Sequence, residues 1–422
     1  MQDTHGKTIA VIGTLDTKGE ECLYIRDVLR ALGFASILID PGPMGQPITR
    51  GDIDREAVAA RGGFDLAQLV RTGDKGKIIE TMTQGLTAWV ADLYREGRIH
   101  GVIALGGGQG TAMGTAAMQV LPLGFPKVMV STIASGNMRP FLDTHDIAVF
   151  PSVTDVFGVN YVFTRILDNA VNALAGMVSN FRPIEKGNRL VIGATAFGVV
   201  TAGLMKMRTM FREAGIEMIL FHATGIGGRA MERMAEAGYF DGVVDWTTHE
   251  ILDEVSKGIF APGKSRLDIV SKVKLPYVIA PGAIDYIVQG PYSGLTPIWK
   301  KRKHIIHNRN ITLVRATAPE MVRAAHFMAE KINKAMRPVK FLIPLKGFSE
   351  PNAQGKYFYD PDTDNMFIQA LKRRLIDPSQ VVEIDAHIND ESFVKEGYDQ
   401  MMRMLGNVNW RPGTACRHPK WK

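Results

Sequence analysis

Residues 101–117 read GVIALGGGQGTAMGTAA. An apolar run at 102–105 breaks at Gly106, Gly107 and Gly108, passes through Gln109, Gly110 and Thr111, and gives way to small-residue helical sequence. A buried strand that ends in glycines and restarts as a helix is the β-to-α joint of a parallel α/β sheet. Such a joint gathers backbone N–H groups at a helix N-terminus, whose partial positive charge attracts phosphate or carboxylate. It is not a Walker A loop, because no Gly-Lys-Ser/Thr follows, and it lacks the G-x-G-x-x-G spacing of dinucleotide sites. A tight turn with no ligand is the plainer alternative and stays open at this point.

The same grammar recurs along the chain. Residues 8–12 (TIAVI) lead into Asp16, Thr17 and Lys18, then into a helix with apolar residues at Cys22, Ile25, Leu29 and Leu32. Asp16 or Thr17 is expected to cap that helix. At the carboxyl end of a first strand, Asp16 also suits a cation and Lys18 an anion. A strand at 36–39 precedes a Gly-, Pro- and Asp-rich excursion at 44–76, and a helix is expected over 77–96. The strand at 126–130 ends in STIASGN, where Ser131, Ser135, Gly136 and Asn137 suit phosphate or sugar oxygens, or equally the capping of a turn.

Residues 185–188 read as a linker between a first domain, 1–183, and a second, 187–422. RLVIGATAFG at 189–198 restarts the opening pattern. Short β-branched runs at 217–221, 242–244, 277–280, 311–314, 339–343 and 381–384 alternate with helical sequence. The expected fold is α/β, with two Rossmann-like domains, each a mainly parallel sheet flanked by helices.

Polar residues of the second half collect at predicted strand ends. Gly227, Gly228 and Arg229 form a second glycine cluster suited to an anionic substrate. His222 and Asp285 are candidates for proton transfer, with His307 as a third catalytic candidate. Each has a plainer role as a hydrogen-bonded or surface residue. His304 and His307, three residues apart, raise the question of a shared metal, but no zincin-type Glu accompanies them.

The net charge is +7, yet the basic residues are dispersed and their densest run, 300–303 (KKRK), is short. That favours small anionic ligands over nucleic acid. Cys22 and Cys416 are far apart and form no metal spacing, which fits free thiols in a reducing cytoplasm. No signal peptide and no membrane-spanning run is expected.

Together, GTLDTKGEE at 13–21, ALGGGQGT at 104–111, STIASGN at 131–137, GATAFGV at 193–199, FHATGIGGRAME at 221–232, PGAIDY at 281–286, HNRNITLVRAT at 307–317 and PLKGFS at 344–349 resemble a known family. It is that of the nucleotide-binding N-terminal domain of the tomato mosaic virus resistance protein and its bacterial relatives. The resemblance spans nearly the whole chain. It implies two Rossmann-like subdomains, ATP binding and self-association into a homo-oligomer. Plant members carry a C-terminal barrel domain that resembles phosphoenolpyruvate-acting enzymes, so a separate barrel-domain enzyme is an expected partner. The family supplies no settled reaction.

The expectation is therefore a cytoplasmic ATP-binding protein with Mg²⁺, its ligand site at a cleft between the two domains. Phosphates would lie on Gly106 to Thr111, Asp16 would hold the metal, and a small anionic metabolite would meet the second half. A nucleotide-independent enzyme for a carboxylate or sugar acid is an alternative. A nucleotide-gated scaffold for a partner protein is another.

Overall fold

The run that opens at Gly101 is a strand buried at every residue in the computed structural model, which describes residues 6–406. Cys416 lies outside the described residues. The chain divides into two compact units, Met1–Glu185 and Lys186–Lys422.

Unit 1 contains, in order, β1 (Thr8–Ile12), α1 (Gly19–Ala31), β2 (Ala35–Ile39), α2 (Arg55–Arg61), α3 (Leu66–Arg71), α4 (Lys75–Arg95), β3 (Gly101–Gly106), α5 (Gly108–Gln119), β4 (Lys127–Ser131), α6 (Arg139–Leu142), β5 (Ala148–Pro151) and α7 (Tyr161–Ser179). The five strands pair only in parallel, in the order β2-β1-β3-β4-β5. Strand side chains alternate between faces, so each strand serves two cores. Ala10, Ile12, Val102 and Ala104 pack with α2 to α5, while Ile9, Val11, Ile103 and Leu105 pack with α1 and α7. The near-continuous apolar strands follow from this burial on both faces.

Unit 2 continues with β6 (Leu190–Ala196), α8 (Thr201–Glu213), β7 (Ile216–His222), α9 (Gly227–Glu236), β8 (Gly242–Thr247), α10 (His249–Ser256), β9 (Tyr277–Gly282), β10 (Tyr286–Gln289), α11 (Pro297–Lys300), β11 (His304–Asn308), β12 (Ile311–Arg315), α12 (Ala318–Ile332), β13 (Val339–Pro344), α13 (Pro361–Arg374), β14 (Val381–Ile384) and α14 (Glu391–Gly406). Its six-stranded parallel sheet runs β14-β13-β9-β8-β6-β7. Counted along the chain within each parallel sheet, both share the order second, first, third, fourth, fifth, and unit 2 adds β14 as a sixth. The echo between 8–19 and 189–198 is thus an echo of topology. Both units are Rossmann-like in the broad sense of a doubly wound parallel sheet.

Two local expectations need correction. The run at 311–314 is not in the parallel sheet. As β12 it joins β10 and β11 in a separate antiparallel sheet, order β10-β12-β11. The reason is connection length: only Arg309 and Asn310 separate β11 from β12, and a two-residue loop joins antiparallel strands, whereas a parallel crossover needs a dozen residues or more. Likewise, the residue at the α1 N-cap is Lys18, with no side-chain cap. The Thr17 hydroxyl instead donates to Asp16 Oδ1 at 3.2 Å and lies 3.0 Å from that of Thr14.

Candidate functional site

In unit 1 the chain moves from β1 outward to β2, returns to β3, and proceeds the other way to β4 and β5. The carboxyl ends of β1 and β3 therefore flank a crevice where the winding reverses, and open α/β sheets bind ligands at that point. Two of the sequence-predicted groups follow these neighbouring strands, the Asp16–Lys18 segment after β1 and the Gly106–Thr111 loop after β3.

The glycine loop is shaped by the backbone. Gly106 has φ +156°, and a Cβ there would stand 2.9 Å from the Gly110 Cα. Gly107 is the N-cap of α5 and supplies no side-chain cap. The Thr111 amide reaches Gly107 O at 2.8 Å, but the amides of Gly108, Gln109 and Gly110 have no carbonyl partner. Gly108 and Gln109 are exposed, Gly107 and Gly110 half-buried. Three N–H groups at the positive end of a helix are thus left without an acceptor from the protein backbone.

Thr111 and Ser131 play a different part. Both are fully buried, and their hydroxyls lie 2.7 Å apart. Ser131 Oγ also accepts from the Ile133 amide at 3.2 Å, so the pair ties the end of β4 to the start of α5. Ser135, Gly136 and Asn137 are exposed in the loop beyond. There the Gly136 amide donates to Ile133 O at 2.9 Å and Asn137 Oδ1 accepts from the Arg139 amide at 3.1 Å.

Asp16 is half-buried, and Gly45 passes so close that a Cβ on it would lie 2.7 Å from Asp16 Oδ2. The Lys18 ammonium donates to Val156 O, 6.0 Å from the centre of the Phe157 ring. It links α1 to the segment after β5 instead of facing the glycine loop through any contact. Sequence reasoning passed over Asp40. Its Oδ1 accepts from the Leu15 amide at 3.1 Å and the Gly42 amide at 2.9 Å, which fixes the loop after β1. Burial raises the Asp40 pKa, and these two amides oppose the rise. Beside it, beyond β2, a cavity of about 490 Å³ is lined by Asp40, Arg50, Asp54 and Arg55 among others.

In unit 2 the predicted residues scatter. His222 ends β7 and is exposed, stacked on Phe197 with centroids 5.3 Å apart. Asp285 follows β9, and β6 and β8 separate it from β7. Three strand spacings, about 14 Å, keep His222 and Asp285 from forming an acid–base pair. His307 is exposed on β11. His304 is half-buried, its Nδ1 2.8 Å from Arg302 O. Among the described residues no group of three His, Cys, Asp or Glu is placed to hold a metal ion.

The second glycine cluster has a packing explanation. A Cβ on Gly227 would stand 1.9 Å from His222 O, and one on Gly228 2.2 Å from Glu250 Oε2 and 2.3 Å from Arg266 Nε. Arg229 is the third residue of α9 and half-buried. Beneath the cluster the fully buried Arg266 guanidinium meets three carboxylates. It donates to Glu232, to both oxygens of Asp245 at 2.7 Å, and to Glu250 at 3.1 Å. The Tyr277 hydroxyl adds a bond to Asp245 at 3.1 Å, and the Gly225 amide one to Glu250 at 2.5 Å.

Asp285 is buried too. Its Oδ2 accepts from Ser349 Oγ at 2.8 Å, while its Oδ1 has no partner. Burial pushes Glu232 and Asp285 up to about 7, against the pull of Arg266 and Arg315 respectively. Folded, each keeps a proton that the unfolded chain releases near its ordinary value, 4.5 or 3.8. The folded state binds more protons, so stability falls as pH rises through that window to about 7. His249, held neutral down to about 3 by its burial, opposes this only below its ordinary 6.5, one imidazole against two carboxylates. Calorimetry should show the unit 2 transition moving to lower temperature from pH 5 to pH 8; a rise across that range would contradict the assignment.

The geometry can be set beside known proteins. A model of the Uncharacterised protein family (UPF0261) N-terminal domain matches residues 7–183, and its C-terminal domain matches residues 189–405. The chain belongs to the UPF0261 family. A UPF0261 protein of Clostridium tetani is 41% identical over 400 residues, covering 94% of this chain and 99% of that one. The ToMV resistance protein Tm-1(GCR237) of Solanum lycopersicum is 37% identical over 338 residues, 78% of this chain and 45% of the tomato protein. The family resemblance expected from the motifs is therefore correct. A UDP-N-acetylglucosamine 2-epimerase of Rickettsia bellii overlaps 95% of this chain and 96% of its own at 10% identity, with a TM-score of 0.23, too slight a likeness to bear on function. No helix among the described residues is long and apolar enough to cross a membrane.

Proposed function

We propose that this UPF0261 protein binds ATP at the switch point of unit 1. The observation that carries the reading is the trio of unpartnered amides on Gly108, Gln109 and Gly110, at the start of a helix that opens on the crevice. Such amides are acceptor-seeking, and phosphate oxygens satisfy them with charge-assisted bonds. The family resemblance supports a nucleotide as the anion.

The sheet order supports one orientation. The glycine loop follows β3, Asp16 follows β1, and the cavity with Arg50 and Arg55 lies beyond β2. β2 and β3 are two strand spacings, about 10 Å, apart, a span the nucleotide bridges. The triphosphate lies on the glycine loop and the nucleoside in the cavity. Asp16 fits Mg²⁺, which takes few carboxylates and completes its shell with phosphate oxygens and water. The bound metal would neutralise phosphate charge, and Thr17 orients the carboxylate through its hydroxyl.

The test is titration calorimetry of ATP, with and without Mg²⁺, on the full chain and on Asp16→Asn. Wild type should bind more tightly with the metal, and the variant should lose that gain while keeping the metal-free affinity. An Asp16→Asn protein with undiminished Mg²⁺ dependence would remove Asp16 from the site.

A further inference from the structure

We propose that unit 2 holds a binding site of its own for a small planar carboxylate, built from the His249 imidazole and the backbone amides at the start of α10. The site is independent of the nucleotide reading. In unit 2 the winding reverses between β6 and β8, so α10, which follows β8, occupies the place that α5 occupies in unit 1. Its N-cap, Thr248, gives no side-chain cap; the hydroxyl donates instead to Ala280 O at 3.1 Å. The Ile251 amide reaches Thr248 O at 3.0 Å, which leaves the amides of His249 and Glu250 without a carbonyl partner.

The second observation is the imidazole. His249 is fully buried, and neither Nδ1 nor Nε2 has a hydrogen-bond partner. Buried polar groups in native proteins are nearly always satisfied, and an orphan calls for a missing partner. Two orphans on one ring, at a switch point and on the residue that carries one of two buried, unpartnered amides, form a set that a ligand's oxygens would complete.

The surroundings narrow the ligand. The ring stands 4.4 Å from Phe197 at 31°, and 6.2 Å from Phe260 at 82°. His222 stacks on Phe197 in turn. Flat walls of this kind select a planar frame. Burial keeps His249 neutral, so one ring nitrogen donates while the other accepts. The helix start favours a negative oxygen. The nearby guanidinium, Arg266, is already saturated by Glu232, Asp245 and Glu250. A singly charged carboxylate suits such a site better than a phosphate, which would need a further cation. Phe197, half-buried just after β6, is the ring that lies between the imidazole and the exposed His222.

Benzoate is the probe, followed by NMR of the full chain with isotope-labelled histidine and assigned through His249→Phe. Benzoate at millimolar concentration should shift the His249 ring signals, and inorganic phosphate should not. His249→Phe keeps an aromatic ring in place and should weaken benzoate binding by about tenfold or more, with ATP binding unchanged. Phe197→Ala removes the covering ring and should retain the shift. No benzoate response at His249 in either wild type or Phe197→Ala, or an equal response to phosphate, would overturn the proposal.

Discussion

A Gly108→Val protein is expected to fold like the wild type and to bind ATP about a hundredfold more weakly, or not at all. A Cβ at Gly108 meets no atom within 4 Å, so the protein itself gives the valine room. Gly108 is the first residue of α5, so the valine is introduced at the helix start, where the phosphates are proposed to sit. Hydrogen bonds to a charged group contribute roughly 1.5–3 kcal/mol each, so losing two amounts to about a hundredfold or more in affinity. Calorimetric titration gives the affinity, and a melting curve shows that the fold is intact. Unchanged ATP affinity in a folded Gly108→Val protein would take the glycine loop out of the site.

The second large effect is on stability. Arg266→Met should cost about 3–5 kcal/mol, because removing one partner of a buried ion cluster leaves the others uncompensated. Here three carboxylates and the Tyr277 hydroxyl surround one guanidinium, with Arg266, Asp245 and Glu250 fully buried and Glu232 nearly so. Against a typical total of roughly 5–15 kcal/mol, such a loss leaves unit 2 near the edge of folding. It should also free Glu250, whose other oxygen holds the Gly225 amide, and so loosen the glycine cluster above it. Urea denaturation followed by circular dichroism measures the change. A shift below about 1 kcal/mol would show that the cluster is dispensable, as surface ion pairs usually are.

The parallel sheets were legible because burial on both faces writes itself as short apolar runs. Residues 8–12 and 381–384 are the strands β1 and β14 at the bounds expected from hydropathy alone. The glycine loop was legible because only glycine suits the approach of Gly106 to Gly110. What stayed hidden depended on pairing between distant segments. Ile311–Arg315 looks like any other core strand, and only the two-residue turn before it marks the hairpin. Gly227 and Gly228 looked like a ligand loop, yet the backbone of His222 and the side chains of Glu250 and Arg266 fill the space where their Cβ atoms would be. His249 escaped notice because the strand before it was expected to stop at 244. It runs to Thr247, so the sequence DWTTHE at its end carries the polar edge of the sheet. Arg266, in an irregular stretch, had no local signal at all; its role exists only once Glu232, Asp245 and Glu250 converge.

The central claim is that nucleotide phosphates rest on the open amides of α5. A crystal structure of the full chain with a non-hydrolysable ATP analogue and Mg²⁺ tests it most directly. The account predicts phosphate oxygens about 3 Å from the amides of Gly108, Gln109 and Gly110, with the metal beside Asp16. Well-ordered nucleotide bound elsewhere on the chain, with those three amides still facing water, would contradict it.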